Sequence, residues 1–559
     1  MIEAARLREQ AVEAANSGRL GEAARLHGRA VELAGSDVSI LNSAAFFFSR
    51  NGESERAIAI LQRAIEADRA AAEPLFNLAL ILTNEGRAAG ALALLVEREQ
   101  HFRGVARYWT IRAGAERKLR HKREALSSFE AAARVEPGNA LAAHGRARMA
   151  LETGRPAIAL YRSVVGAQSG DLDAWLGYTQ ALDAEGRSDE ARALLETAVV
   201  QQPMWIDAHE MLARLCWAAG DVAQFASTYA VAAAAGGNAA LYASWSKSLA
   251  GVDLHARAAE VAAEAQRVLG ASEAFALLEA ECRGEAGDDA RAETIFARLA
   301  LQSAQRWLSE AGHRLRRGDA AAAEALCAQV IAGDAGHVAA WALRAIAWRL
   351  LGDARSEWLH GQSGLVAAVR LDLGEAELAR LGRYLDRLHD QSAVPIDQSV
   401  RGGTQTRGGL FDRHEPEARA IEQAFGEVIA TYRAGLPTRD DGHPLLRHRD
   451  AAWRIEGSWS IRMVDAGHHV QHIHPHGLIS SAAYFAVPAS AADQHARAGW
   501  LELGRPPAGL RVNLEPEAMI EPRVGQCVLF PSTMYHGTRP FPAGKRMSVA
   551  IDVNRERER

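Results

Sequence analysis

The stretch AWLGYTQALDAEGRSDEARALLETAVVQQP, residues 174–203, reads as two short helices joined by a tight turn. Gly186 stands where the first helix must stop, and glycine enters the left-handed turn conformation at no steric cost. Ala191 and Ala198 follow on the second helix, small enough to let the pair approach closely. The same punctuation runs through the first two thirds of the chain. Gly18, Gly52 and Gly86 are 34 residues apart, and Gly154, Gly186, Gly220, Gly287, Gly318 and Gly352 continue the series. Arg120 occupies one skipped position, and a second skip falls near Leu254. Ala23, Ala57, Ala91, Ala125 and Ala159 keep the step of 34.

A 34-residue period of helical hairpins resembles the tetratricopeptide (TPR) repeat. Trp175, Gly186, Ala191, Ala198 and Pro203 match that family's spacing. One hairpin cannot bury its apolar stripe alone, so neighbours must stack. The resemblance implies an α-solenoid over residues 1–360, about eleven hairpins by repeat length. The Ala, Leu and Trp positions on its stripes read as core packing. The array as a whole would present a concave surface, so a peptide or protein partner on that face is expected.

Composition narrows the rest. A chain of 559 residues is too long for one core. A net charge of -5 offers no broad cationic surface for nucleic acid or anionic lipid. Lysine occurs only at 118, 122, 247 and 545, an arginine bias typical of GC-rich bacterial genomes. Cys216, Cys282, Cys327 and Cys527 are too scattered for a disulfide framework or a cysteine zinc site. No apolar run reaches the length of a membrane span, about 18 residues, and the first residues lack a signal-peptide core. A cytoplasmic protein is expected.

Residues 361–390 read as a helical cap on the solenoid, and 391–412, rich in Gly and Thr, as a linker. Residues 414–434 form an amphipathic helical pattern that leads a last domain, 413–559. From residue 453 the period changes to strand-like alternation, in WSIRMV, SSAAYFAV, GWLELG, CVLF and MSVAIDV. Short strands punctuated by Gly and Pro predict a sandwich or barrel.

The chemistry concentrates in GHHVQHIHPHG, residues 467–477, where His468, His469, His472, His474 and His476 crowd together. His472 and His474, two apart on a strand, point to one face, and Pro475 ends the pairing. His536 follows the apolar strand Cys527–Phe530 in a Tyr-His-Gly turn. Three imidazoles on one face of an octahedron leave three positions free; iron sites of this kind usually use two His and a carboxylate. Arg546 and Ser548, also two apart, would present a guanidinium fork and a hydroxyl to a carboxylate.

These residues carry a resemblance over roughly 395–555, in QSVRGGTQTRGGLF (398–411), GSWSIRM (457–463), HHVQHIHPHGLISSAAYFAVP (468–488), GWLELG (499–504) and VGQCVLFPSTMYHGTRPF with GKRMSVAIDV (524–553). The domain resembles the double-stranded β-helix, or jelly roll, of Fe(II)/2-oxoglutarate-dependent oxygenases, and more closely the bacterial ones that follow TPR arrays. The whole would be a multidomain α + β protein. The resemblance implies Fe(II) on His472, His474 and His536, with 2-oxoglutarate and O₂ as co-substrates. It places the far carboxylate on Arg546, with Ser548 beside it and Tyr484 as either a donor or a packed aromatic. No catalytic group beyond the metal site is implied, and the reaction is hydroxylation of a substrate. His474 stands where the superfamily usually has Asp or Glu. That leaves open a three-His dioxygenase or other metalloenzyme that needs no 2-oxoglutarate, a position left free by a non-ligating His474, or a non-catalytic TPR scaffold. Asp465 is the nearest spare carboxylate, at poor spacing. His468, His469 and His476 read as supporting or solvated. Arg401 and Gln405, in RGGTQT, either line the substrate mouth or brace the solenoid join.

Overall fold

The computed structural model describes residues 2–390, 392 and 399–556, so the expected linker 391–412 lies partly outside the described residues. Before Gly352 the described chain is helical, from Ile2–Asn16 to Val338–Leu351. The helices pair into ten hairpins, one with an added turn at Glu99–Phe102; Val338–Leu351 then stands without a second helix. The non-glycine skips are conformationally real: Arg120 takes φ 64° and Asp253 φ 62°, the same left-handed turn that Gly186 makes at 79°. Ala23, Ala57, Ala91 and Ala125 are fully buried between paired helices. Ala159 is exposed, and Ala157 takes its place in the core, because the helix begins only at Ile158 after Pro156.

The chain divides into two compact units, one through Tyr178 and one from Thr179. In the first, Leu41, Phe48, Leu61, Leu75, Phe76 and Tyr108 belong to one continuous apolar core. The second holds the remaining hairpins and a strand-rich domain in one packed body. Ala311, Leu315, Cys327 and Ile346 of the hairpins share a core with Leu510 and are joined by Tyr535.

Among the described residues the strand domain has nine strands: β1 Ala367–Arg370, β2 Val400–Gln405, β3 Trp453–His469, β4 Ile479–Ala486, β5 Leu501–Leu503, β6 Ala518–Ile520, β7 Gln526–Pro531, β8 His536–Thr538 and β9 Lys545–Arg555. One sheet runs β1-β7-β4-β9-β3-β2 and a smaller one β6-β5-β8, all antiparallel. Their inner faces share Tyr484, Val528 and Phe530 with Leu501 and Leu503. The period of two along β9 sorts its side chains. Met547, Val549, Ile551 and Val553 enter an apolar core with the helix Pro416–Gly435, while Arg546, Ser548, Ala550 and Asp552 face a cavity between the sheets.

Residues 361–390 do not cap the solenoid as an added helix. A π-helical turn, Glu357–Gly361, leads directly into β1, which pairs with β7 in the register Ala367↔Leu529. The helix Glu375–His389 then buries Leu378, Leu381, Tyr384 and Leu385 beneath the large sheet. Its amphipathic pattern specified a buried stripe but not which core would receive it. Each of those leucines gains about 1.5–3 kcal/mol from burial in whichever core receives it. Val400–Gln405 of the expected linker are likewise part of the sheet, as β2 on its edge. No described helix is long and apolar enough to cross a membrane.

Candidate metal centre

The three predicted ligands come together through backbone pairing. His472 N donates to His536 O at 3.0 Å, and His536 N donates to His472 O at 2.9 Å. This two-way bridge lays the histidine-rich segment alongside β8, whose His536 is in turn in register with Leu503 of β5. His474, two residues on, turns its ring to the same place; its centroid is 5.1 Å from His472 and 4.9 Å from His536.

The tautomers follow from the partners. His472 Nδ1 lies 2.9 Å from Val470 O and His536 Nδ1 3.2 Å from Met534 O. His474 Nδ1 is bonded to the Asp552 carboxylate. Carbonyls and carboxylates only accept, so each Nδ1 donates and each Nε2 presents its lone pair, that of His472 also lying 3.2 Å from the Ser399 hydroxyl oxygen. The ligand atoms of the three residues all lie within 4.8 Å of one another, and His472 and His474 Nε2 are 3.1 Å apart. Lone pairs at that separation repel unless a cation or proton stands between them. Burial, then the neighbouring rings, hold His536 well below the ordinary histidine value, and burial first pushes His472 down to about 3. Both are neutral at pH 7, as metal ligands must be. The donor set therefore fits a metal ion.

The other end of the cavity fits an anion. The cavity is about 460 Å³, within the range of small-molecule sites. Arg546 is 1% exposed, its Nε has no partner, and no carboxylate among the described residues pairs with it. Burial depresses its pKa. Tyr484 stacks behind it, ring centroid 5.0 Å from Cζ, with its Oη also unsatisfied. A buried guanidinium held beside Tyr484, with no carboxylate partner among the described residues, marks a place shaped for a ligand's acceptors.

Ser548 and Gln405 line the cavity with Arg546, while Tyr484 supports the guanidinium from behind. Arg401 lies away from the cavity and pairs with Asp253 of a hairpin turn at 3.0 Å. Asp465 is also elsewhere, accepting from Gly544 N at 3.0 Å on the exposed side of the fold, and does not join the ligands. His468 bonds to Ala466 O at 3.2 Å outside the cavity; His469 and His476 line it. Asp552 was missed by sequence reading, although strand alternation from Arg546 through Ser548 and Ala550 leads to it.

The three candidate ligands, Asp552, Arg546, Ser548 and Tyr484 all fall within one matched stretch. Residues 457–552 match the family model described as "Putative 2OG-Fe(II) oxygenase". Residues 157–215 match the Tetratricopeptide repeat model. The chain thus carries TPR repeats followed by a domain of this oxygenase type, and that family implies Fe(II), 2-oxoglutarate and O₂. The oxygenase match leaves Gln405 and β2 outside its limits. No curated protein matches the chain. Among solved structures, a tetratricopeptide repeat protein from Parabacteroides merdae is 18% identical over 43% of this chain and 97% of its own, with TM-score 0.35. A thermophilic TPR protein of Thermus thermophilus is 20% identical, covering 32% and 98%, at TM-score 0.27. YrrB, described as a TPR protein with an unusual peptide-binding site, is 20% identical, covering 32% and 94%, at TM-score 0.29.

Proposed function

We propose that the protein is an Fe(II)- and 2-oxoglutarate-dependent dioxygenase that hydroxylates a peptide or protein recruited by its TPR solenoid. One observation carries the reading: three converging imidazoles and a buried guanidinium with no carboxylate partner among the described residues share one cavity. His472, His474 and His536 would hold the metal, and Arg546 with Ser548 the far carboxylate of 2-oxoglutarate. Iron held there would supply activation of O₂, one oxygen atom converting a C–H bond to an alcohol and the other passing to succinate as 2-oxoglutarate loses CO₂.

The protein's own part is binding and orientation. Asp552 fixes the His474 ring and tautomer, and the His472–His536 bridge sets the spacing of the other two rings. Arg546, fixed on β9 and already desolvated, need not give up water when the acid arrives. Gln405, on the edge strand, belongs to the substrate side, and Arg401 braces the strand to the solenoid. We take the oxygenase unit as 362–556, since β1 and the helix Glu375–His389 complete its sheet and core. Four buried free cysteines suit a reducing cytoplasm.

The test is anaerobic Fe(II) titration with and without 2-oxoglutarate, in wild type and Arg546→Ala, watching for the visible iron-to-oxoacid charge-transfer band. A band that weakens in the variant supports the proposal. Bound iron without a band would instead favour a three-His enzyme that uses no 2-oxoglutarate, the reading that His474 in place of a carboxylate keeps open. Partner capture on the full chain, followed by mass spectrometry for a gain of one oxygen atom, tests the substrate class; turnover confined to small molecules would refute it.

A further inference from the structure

His469, the last residue of β3, is a fourth imidazole in the cavity, and the converging ligand set does not include it. Its Nδ1 lies 2.8 Å from the Ser399 hydroxyl oxygen, which is also 3.2 Å from His472 Nε2. The His469 and His472 rings are stacked with centroids 5.6 Å apart. A serine hydroxyl has one proton to give. His472 Nδ1 already donates to Val470 O, so His472 Nε2 is an acceptor and competes with His469 Nδ1 for that proton.

A cation on His472 removes the competition by taking its lone pair. Between these two rings, only His469 Nδ1 is then left to accept from Ser399. A neutral imidazole whose Nδ1 accepts carries its proton on Nε2. In that tautomer His469 presents an Nε2–H donor on the wall of the cavity that also holds Arg546, whose Nε has no partner.

We propose that His469 is a second contact for the dicarboxylate, donating from Nε2 to a carboxylate oxygen, and that Ser399 is the positioning residue that sets its tautomer once His472 carries a metal. This rests on the reading of the cavity as a metal and 2-oxoglutarate site. It adds a binding contact from β3 and ties acid binding to metal occupancy through one hydroxyl. A purely structural His469 would affect folding stability and leave acid affinity alone.

The experiment is calorimetric titration of 2-oxoglutarate into the full chain loaded with Mn(II), without oxygen. Wild type is compared with His469→Gln, His469→Ala, Ser399→Ala, Ser399→Thr and Arg546→Ala, with Mn(II) affinity measured on each. Loss of a hydrogen bond to a charged group should weaken 2-oxoglutarate about 10- to 100-fold in both His469 variants, with Mn(II) affinity within about threefold of wild type. Ser399→Ala should weaken it by a smaller factor and Ser399→Thr should restore it. In the Zn(II)-loaded protein, ¹⁵N spectra of labelled histidine should show His469 protonated on Nε2 in wild type and lose that signature in Ser399→Ala. Unchanged 2-oxoglutarate affinity in both His469 variants, with Arg546→Ala impaired, would overturn this proposal and leave the parent reading standing. No 2-oxoglutarate binding by metal-loaded wild type would overturn both.

Discussion

Removing Arg546 should strengthen the ligand-free protein while disabling the site. Arg546 is 1% exposed, deep between the sheets, with no carboxylate partner among the described residues and an unsatisfied Nε. Replacing a buried, poorly compensated charge by an apolar side chain of similar length is neutral to stabilising by about 1–4 kcal/mol. Arg546→Met should therefore unfold no earlier than wild type in the absence of ligand. The opposite holds with 2-oxoglutarate present. Losing one partner of a desolvated charge pair costs about 2–5 kcal/mol of binding, or roughly 30- to 5,000-fold in Kd. At a concentration 100 times the wild-type Kd, the ligand stabilises wild type by about 2.7 kcal/mol and the variant by less than about 1 kcal/mol. Urea unfolding of the Mn(II)-loaded protein with and without 2-oxoglutarate reads both effects. A variant that is destabilised without ligand yet keeps the full ligand-induced gain would refute the reasoning, because Arg546 would then be a structural charge with a partner already in place.

Asp552→Asn should lower metal affinity about 10- to 100-fold by loosening the His474 ring, as supporting carboxylates generally do; competition with a chelating dye measures it, and wild-type affinity would contradict the assigned support. Gly537→Ala should impair the same centre, because the new methyl would lie 2.5 Å from Gln471 Nε2 and 2.9 Å from His469 O. About 1–3 kcal/mol of overpacking strain is expected, with weaker metal binding beside it, and thermal unfolding and metal titration report the two separately. The metal-free protein should lose stability in mild acid. His472 is held at about 3, and His389 and His443 at about 4, in each case chiefly by burial, against an ordinary 6.5. Lowered folded values mean that the unfolded chain binds more protons, so this stability is complete above about pH 6.5 and is lost as pH falls toward those values, at up to about 1.4 kcal/mol per histidine per pH unit. Urea midpoints that do not fall between pH 7.5 and 5 would contradict this.

The repeat array was legible because its signals are local. A turn glycine and a small alanine each answer a backbone or contact requirement within one hairpin, and even the skips at Arg120 and near Leu254 correspond to left-handed turns. The convergence of His472, His474 and His536 was legible for a related reason: two-residue spacing fixes a face, and a late His before a strand rich in Val and Ile limits where the third can lie. What the sequence withheld was partnership. The stripe of Leu378, Leu381 and Leu385 is equally suited to a solenoid end or a sheet, and only the assembled core decides. Arg401 and Gln405, four residues apart on one edge strand, serve different neighbours: one meets Asp253 and the other the cavity. Asp552 lay on the face already identified by Arg546 and Ser548, but its role depends on where the His474 ring arrives from a distant loop.

The missing second helix after Val338–Leu351 has a consequence for how such a chain can change over generations. Trp341, Trp348 and Leu359 form a small apolar cluster at the end of that lone helix, and Arg349, near its C-terminus, bonds to the backbone oxygens of Gly504 and Glu515. The strand-rich domain thus covers the last repeat helices, an end that would otherwise need a polar closing helix to stay soluble. Repeats can be duplicated or lost by recombination upstream without disturbing that closure. Exchange of the last hairpin, or transplantation of the strand-rich domain onto a foreign array, exposes apolar surface on both halves at once. Descent with variable repeat number but an invariant final junction is the pattern this architecture permits.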